Sequence, residues 1–314
     1  MKWVLVGGVA AVPFVLPSQS MVNIAMLTAF SAFLGQCWNI AGGFGGLTSF
    51  GHAVFFGSGA YTGAILQTRY GVNPWVGLPA AFLVGGLVGA GIGAASFRAG
   101  LRGSYFALVT LAFAEVFRVL SNSLEFTQGG LGIAIPLKVS AWNFQFADRR
   151  ATYAVVLVLL AVASGVAVWL TKGRMGARLA AVRENEDAAA ALGVDIVRTK
   201  TWALALSGGL AAMGGVVYGQ TYLYIDPSIG FGTERSVEML LVAMIGGAGT
   251  VWGPVLGAVV LHVVADVSRA FIATPGFAPM VYGVVLLVII AVLPQGLAGV
   301  WAQVRGTPGG ARDA

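Results

Sequence analysis

The residues of this sequence that could do chemistry are few, and most sit together. Residues 172–200, KGRMGARLAAVRENEDAAAALGVDIVRTK, carry Lys172, Arg174, Arg178, Arg183, Arg198 and Lys200 against Glu184, Glu186, Asp187 and Asp195. One apolar run ends at Thr171 and another begins at Thr201. The interior favours helix, with an alanine-rich stretch from Ala177 and four alanines from Ala188 to Ala191. Arg183 has Glu186 three and Asp187 four residues further on, so these charges can pair along one helical face. Gly193 supplies a helix stop, because glycine enters the left-handed region freely. The chemistry this pattern offers is docking: a short amphipathic helix that seats in a partner's groove. The alternative is an ordinary interhelical loop whose charges only enforce orientation.

Outside that segment, polar groups are scattered through apolar sequence. Glu115 and Arg118 lie inside one apolar run at i and i+3, where they can neutralise each other; alternatively, Glu115 faces a solute path. Asn39, Ser49, His52 and Tyr61 could offer polar contacts to a small solute, although a lone His52 also fits a satisfied structural role. Two glycine-rich breaks, Gly42–His52 (with Gly42 and Gly43) and Gly246–Pro254 (with Gly246 and Gly247), interrupt apolar runs. The first holds five glycines in eleven residues and is too flexible for a continuous helix interior. Irregular backbone inside a membrane is tolerated only against protein or a wet cavity, so both breaks are candidate path-lining or gating segments. Tight turns that let helices cross are the other reading. No nucleophile–base–orienter set is visible. Neither break has the Gly-x-x-x-x-Gly-Lys-Ser/Thr spacing of a phosphate loop. Lone Cys37 and the distant His52 and His262 argue against a disulfide, a metal site or any cofactor.

The elements that position these residues are membrane spans. The chain has 314 residues, mean hydropathy +0.85 and 10% charged residues, against roughly 25% in a soluble domain. About ten spans of ~20 residues fit. They are expected at 1–17, 20–41, 53–68, 75–97, 104–121, 152–171, 201–222, 235–248, 255–272 and 278–298. Residues 1–17 also resemble a signal peptide but lack a clean cleavage site, so they read as a short first span. With the N-terminus inside, eleven Lys/Arg fall on the inner side and six on the outer, with Arg118 within a span. That excess places both termini and residues 172–200 in the cytoplasm. The net charge of +6 is therefore a matter of membrane orientation, not of nucleic-acid binding. The two glycine breaks occupy corresponding places between spans and could be the trace of an internal repeat.

Four blocks carry a resemblance. WNIAGGFGGLTSFGHAVFFGSGAYTGAIL (38–66), LRGSYFALVTLAFAEVFRVL (101–120) with TQGGLGI (127–133), GARLAAVRENEDAAAALGVDIVRTKTWALALSGGLAAMGG (176–215) and SVEMLLVAMIGGAGTVWGPVLGA (236–258) resemble, in order, LivM-type permeases. These are the membrane subunits of branched-chain amino acid ABC importers. The resemblance implies an all-α membrane protein with the type II importer fold of the vitamin B12 permease kind, in one domain over 1–314. It implies a cytoplasmic coupling loop at 172–200 whose family pattern, Glu-Ala-Ala-x-x-x-Gly, reads here Asp187, Ala188, Ala189, Ala190, Ala191, Leu192, Gly193. Asp replaces Glu, which keeps the charge and shortens its reach. Arg183, Glu184, Asn185 and Glu186 precede it in the same docking segment.

The implied partners are a second, homologous LivH-type permease, two ABC ATPase subunits, a periplasmic solute-binding protein and the bacterial inner-membrane bilayer. The implied function is non-catalytic: moving leucine, isoleucine and valine across that membrane while ATP is hydrolysed on other subunits. A permease for urea, short amides or other amino acids is the rival of the same class. A stand-alone carrier or channel is the rival of another class, but it has no need of a docking helix, and an ion-driven carrier would call for more buried carboxylates. A membrane enzyme lacks its catalytic constellation.

Overall fold

A computed structural model describes the backbone of residues 18–271 and their side chains through 266, together with 283–284 and 296–297. The expected first span, nearly all of the last one and the side chain of Arg269 lie outside the described residues. The described residues are mostly helical. Helix α1 (Gln19–Asn39) starts where the Ser18 hydroxyl accepts from Met21 N. It runs straight into a π-helical turn, Ile40–Phe44. Helices α2 (His52–Tyr70), α3 (Pro74–Arg98) and α4 (Gly103–Ser123) follow. α3 begins on an Asn73 cap with proline in its first turn, where the missing N–H would have had no helical acceptor. A long connection carries the two-residue strand β1 (Ile133–Ala134) before α5 (Arg149–Lys172), which is capped by Asp148. Two short helices, α6 (Arg174–Glu184) and α7 (Glu186–Ala191), precede the long α8 (Ile196–Tyr222). Strand β2 (Tyr224–Ile225) pairs antiparallel with β1, Ile133 opposite Ile225. Short α9 (Pro227–Phe231), α10 (Thr233–Gly246) and α11 (Gly253–Phe271) complete the described chain.

Among the described residues, five helices are long and apolar enough to cross a membrane: Gln19–Phe44, α3, α4, α5 and α8. α8 sits at the centre, packed on α1, α2 and α3. Its contact with α3 needs glycine: a Cβ at Gly85 would collide with Ala212 and the Gly208 carbonyl. Small residues let two backbones approach where lipid supplies no hydrophobic drive between helices. The opposite face of α3 presents Leu83 and Leu87 outward, and α4 is the most exposed of the five.

The helices alternate so that four connections share one end of the bundle: 40–51, 99–102, 172–195 and 247–252. The strand pair, α9 and the 124–148 connection share the other, where Asn73 and Trp75 side chains donate to the Trp142 and Ala141 carbonyls.

Two expectations about local structure are corrected. Gly42 and Gly43 do not end the first helix. The backbone widens into the π-turn and stays helical to Phe44, with the Trp38 ring filling the space beside Gly42. The break is confined to 45–51. The charged segment is also not one helix, because Asn185 stops α6 and starts α7. Arg183 therefore does not share a helical face with Glu186 and Asp187, and the expected local pairs do not form.

Candidate functional site

The short α7 exists because of its two ends. Asn185 adopts extended backbone, and its Oδ1 accepts from the amides of Asp187 and Ala188 at 3.0 Å each. This satisfies donors that no preceding turn can reach. At the far end Gly193 takes φ +83°. Its N–H donates to the Ala190 carbonyl, and that of Val194 to Ala189. This paired closure requires a left-handed residue at Gly193.

Only Ala189 of α7 is buried. Asp187, Ala188, Ala190, Ala191 and Gly193 are exposed, as is Leu192 at 82%. Glu186 reaches back into the body. One carboxylate oxygen pairs with the Lys200 ammonium at the start of α8, and the other forms an ion pair with Arg102, 3.1 Å from its Nε. The Lys200 side chain is 4% exposed, with its ammonium 5.3 Å from the Phe97 ring centre. Arg102 also donates from Nη2 to Asp187 Oδ1 at 3.1 Å. That hydrogen bond, reinforced by the charges of Glu186 and Asp187, raises the guanidinium's pKa still further. Thus α7 is tied to α8 and to the α3–α4 turn, and the outward half of the helix remains uncovered.

α6 makes a second connection. Arg183 Nη1 donates to the Gly43 carbonyl at 3.0 Å, while its Nη2 lies 3.9 Å from Glu184. Gly43 packs directly on the second glycine break: a Cβ there would strike Gly249 N and Asn39 Oδ1. The Asn39 side chain bridges the two breaks, with Oδ1 accepting from Gly249 N at 2.7 Å and Nδ2 donating to the Thr250 carbonyl at 2.9 Å. A small pocket between these parts is lined by Gly46, Leu101, Arg102, Arg183, Glu186 and Lys200. Gly247 caps α10 at φ +114°, and Gly246 packs on the Gly253 backbone as the chain turns into α11.

The remaining candidates lie deeper. His52 is fully buried, with Nδ1 3.0 Å from Ser49 Oγ and Nε2 2.8 Å from Ser207 Oγ. Ser207 in turn donates to the Cys37 carbonyl at 2.7 Å. Tyr61 is buried, stacked on Phe231 with ring centres 5.6 Å apart, and its hydroxyl has no hydrogen-bond partner among the described residues. Glu115 and Arg118 do pair, through Nε–Oε2 at 2.9 Å and Nη2–Oε1 at 2.5 Å, on the outward face of α4. The structure therefore brings Asn39, Gly43, Arg183 and Glu186 to one end of the bundle. It leaves Tyr61 and Glu115 well away from them. Among the described residues no cluster of His, Cys, Asp and Glu could hold a metal ion.

Sequence reasoning missed Arg102 and Lys200 as partners of α7. The available signal was positional: Arg102 and Lys200 each stand just before an apolar run, at the end that holds the charged segment.

Comparison with known proteins gives the same reading over most of the chain. The family described as branched-chain amino acid transport system, permease component, matches residues 20–293. The chain is 30% identical over 309 residues to the high-affinity branched-chain amino acid transport system permease protein LivM of Salmonella typhimurium, covering 91% of this chain and 71% of that protein. LivM of Escherichia coli is similar to the same extent. LivH of Escherichia coli is 25% identical over 298 residues, covering 90% of this chain and 95% of that protein. No solved structure matches the chain.

Proposed function

The chain belongs to the branched-chain amino acid transport system permease family, and from that premise we propose that it is the non-catalytic membrane subunit of an ATP-driven importer for leucine, isoleucine and valine. Two kinds of relative, LivM and LivH, are named as permeases of one kind of transport system. In this reading the chain pairs with a second, homologous permease. Two ATPase subunits bind at the end that holds α6 and α7, and a periplasmic binding protein delivers the solute at the other end. The fold is the type II importer arrangement of about ten spans, with both termini cytoplasmic, in the inner membrane of a bacterium.

One observation carries the coupling role. α7 exposes Asp187, Ala188 and Leu192, while Glu186 and Arg183 root the segment in the spans. A partner that grips the exposed half and moves on nucleotide binding would pull on α8 through Lys200 and on the glycine breaks through Gly43. Those breaks, with Asn39 at their junction, are the proposed gating segment. Ser49, His52, Tyr61, Gly42, Gly246 and Gly247 are the further candidates around the path. Such coupling is reciprocal, so solute bound in the path would also bias the ATPase.

The test is radiolabelled leucine uptake into vesicles holding this chain with its permease partner, ATPases and binding protein, with Arg183, Asp187 or Gly193 substituted. ATP-dependent uptake that is lost on substitution supports the reading. Uptake by this chain alone, without ATP, would replace it with a stand-alone carrier. Coupled ATP hydrolysis without leucine uptake would redirect the substrate to urea, amides or other amino acids.

A further inference from the structure

The outward face of α4 carries an ion pair that the coupling role does not use. Counting 1.5 Å per residue, Glu115 lies about 18 Å from the Gly103 end of the helix and about 12 Å from the Ser123 end. Both charges are thus within the depth that α4 spans. They are also open: the Glu115 side chain is 51% exposed and that of Arg118 37%. Pairing cancels the net charge, but lipid hydrocarbon would still have to take up two half-exposed ions, which is unfavourable. This face is better matched to a wet path than to lipid.

The rest of the face narrows the ligand. Arg118 commits Nε and one N–H of Nη2 to Glu115. A guanidinium has five N–H donors, so three remain, and a carboxylate accepts at more than two positions. A second ion pair can therefore lie alongside the first without breaking it. Next to the pair, Ala112, Val116 and Val119 are exposed and apolar.

We infer that Glu115 and Arg118 form a binding site for the zwitterionic backbone of an α-amino acid in transit. The substrate carboxylate bonds to the free N–H groups of Arg118, and its ammonium bonds to the Glu115 carboxylate. Its branched aliphatic side chain lies on Val116, Val119 and Ala112. The four charges alternate around a closed square, so the amino acid crosses this depth without shedding its charge. The inference rests on the importer reading and adds to it a site inside the permease that reads the amino acid itself.

The experiment uses the complete importer with its binding protein, in vesicles. The double variant Glu115→Gln/Arg118→Met removes both charges at once and leaves no unpaired ion. It is expected to lower leucine uptake at least tenfold in vesicles where the variant is still assembled with its permease partner and ATPases. Uptake within twofold of wild type would overturn the site, because a pair that only cancels itself is dispensable when both members go. A second measurement stands whether or not that variant assembles. Ala112→Cys leaves the pair intact and, with Cys37 buried, adds an accessible thiol. It is expected to react with a charged, membrane-impermeant thiol reagent and to be slowed at least threefold by leucine during turnover, but not by the anion 4-methylpentanoate. No reaction in the active complex would place this face against lipid and overturn the inference. Absence of any binding-protein-stimulated ATP hydrolysis by the wild type is the separate result that would overturn the importer reading.

Discussion

Arg183 Nη1 donates a 3.0 Å hydrogen bond to the carbonyl of Gly43, 140 residues earlier in the chain. It joins a helix in the charged segment to the point where the first span loses its regular turn. Gly43 in turn abuts Gly249, and Asn39 holds that junction from the α1 side. One guanidinium and one amide thus connect α6 to both glycine breaks.

A methyl group at Gly43 should break that junction. Gly43→Ala places a Cβ against Asn39 Oδ1 and Gly249 N, both of which are part of the bridge. Uptake is expected to fall at least tenfold with the protein still inserted. Gly91→Ala is the control: a Cβ there meets nothing within 4 Å, and alanine favours helix by roughly 1 kcal/mol. Equal transport by the two variants would remove the gating role of the break.

Glu186 should matter to stability more than Arg102 does. Glu186→Gln leaves the Lys200 ammonium, on a side chain 4% exposed, without its carboxylate. Losing one partner of a buried pair destabilises by about 3 kcal/mol or more. Arg102→Gln removes an exposed partner and should lower the melting temperature far less. Glu186→Met/Lys200→Met should recover much of the melting temperature without recovering uptake. The comparison is made by thermal unfolding in detergent beside vesicle uptake, and a double variant that transports normally would count against the tether.

Gly193→Pro should abolish ATP-dependent uptake without preventing insertion. Proline holds φ near −65° and has no N–H, whereas Gly193 sits at φ +83° and donates to Ala190. The end of α7 should unwind, and Leu192 with it, while the spans keep their packing. Cross-linking of α7 to the ATPase should fall in parallel with uptake; retention of both would show that the docking surface does not need this helix end.

Ser207→Ala tests whether the His52 network supports the fold or meets the solute. The variant removes a partner of His52 Nε2 and the donor to the Cys37 carbonyl. The Cys37 carbonyl keeps the Ile40 N–H, so the cost falls on the unpaired imidazole nitrogen, about 1–3 kcal/mol. The melting temperature should drop while the KM for leucine stays within twofold. A severalfold rise in KM at an unchanged melting temperature would assign the network to the path.

Much of this protein was decided by its sequence alone. Hydropathy runs set where α1, α3, α4, α5 and α8 lie, because a span needs only a sufficient length of apolar residues. Helix ends at Asn73, Asp148 and Gly193 follow from local caps whose partners are a few residues away. Even the polar character of the Glu115–Arg118 pair is legible, since i and i+3 meet on any helix. The tertiary structure alone decided who pairs with whom in the charged segment. Asn185 breaks the helix and turns Glu186 away from Arg183, so Glu186 finds Lys200 on α8 and Arg102 on the α3–α4 turn, and Arg183 finds a backbone carbonyl on the first span. No periodicity could reveal those contacts, because they depend on how separate spans pack side by side. Close approach at glycines such as Gly43 and Gly85 sets that packing, and the residues it joins are far apart in the chain.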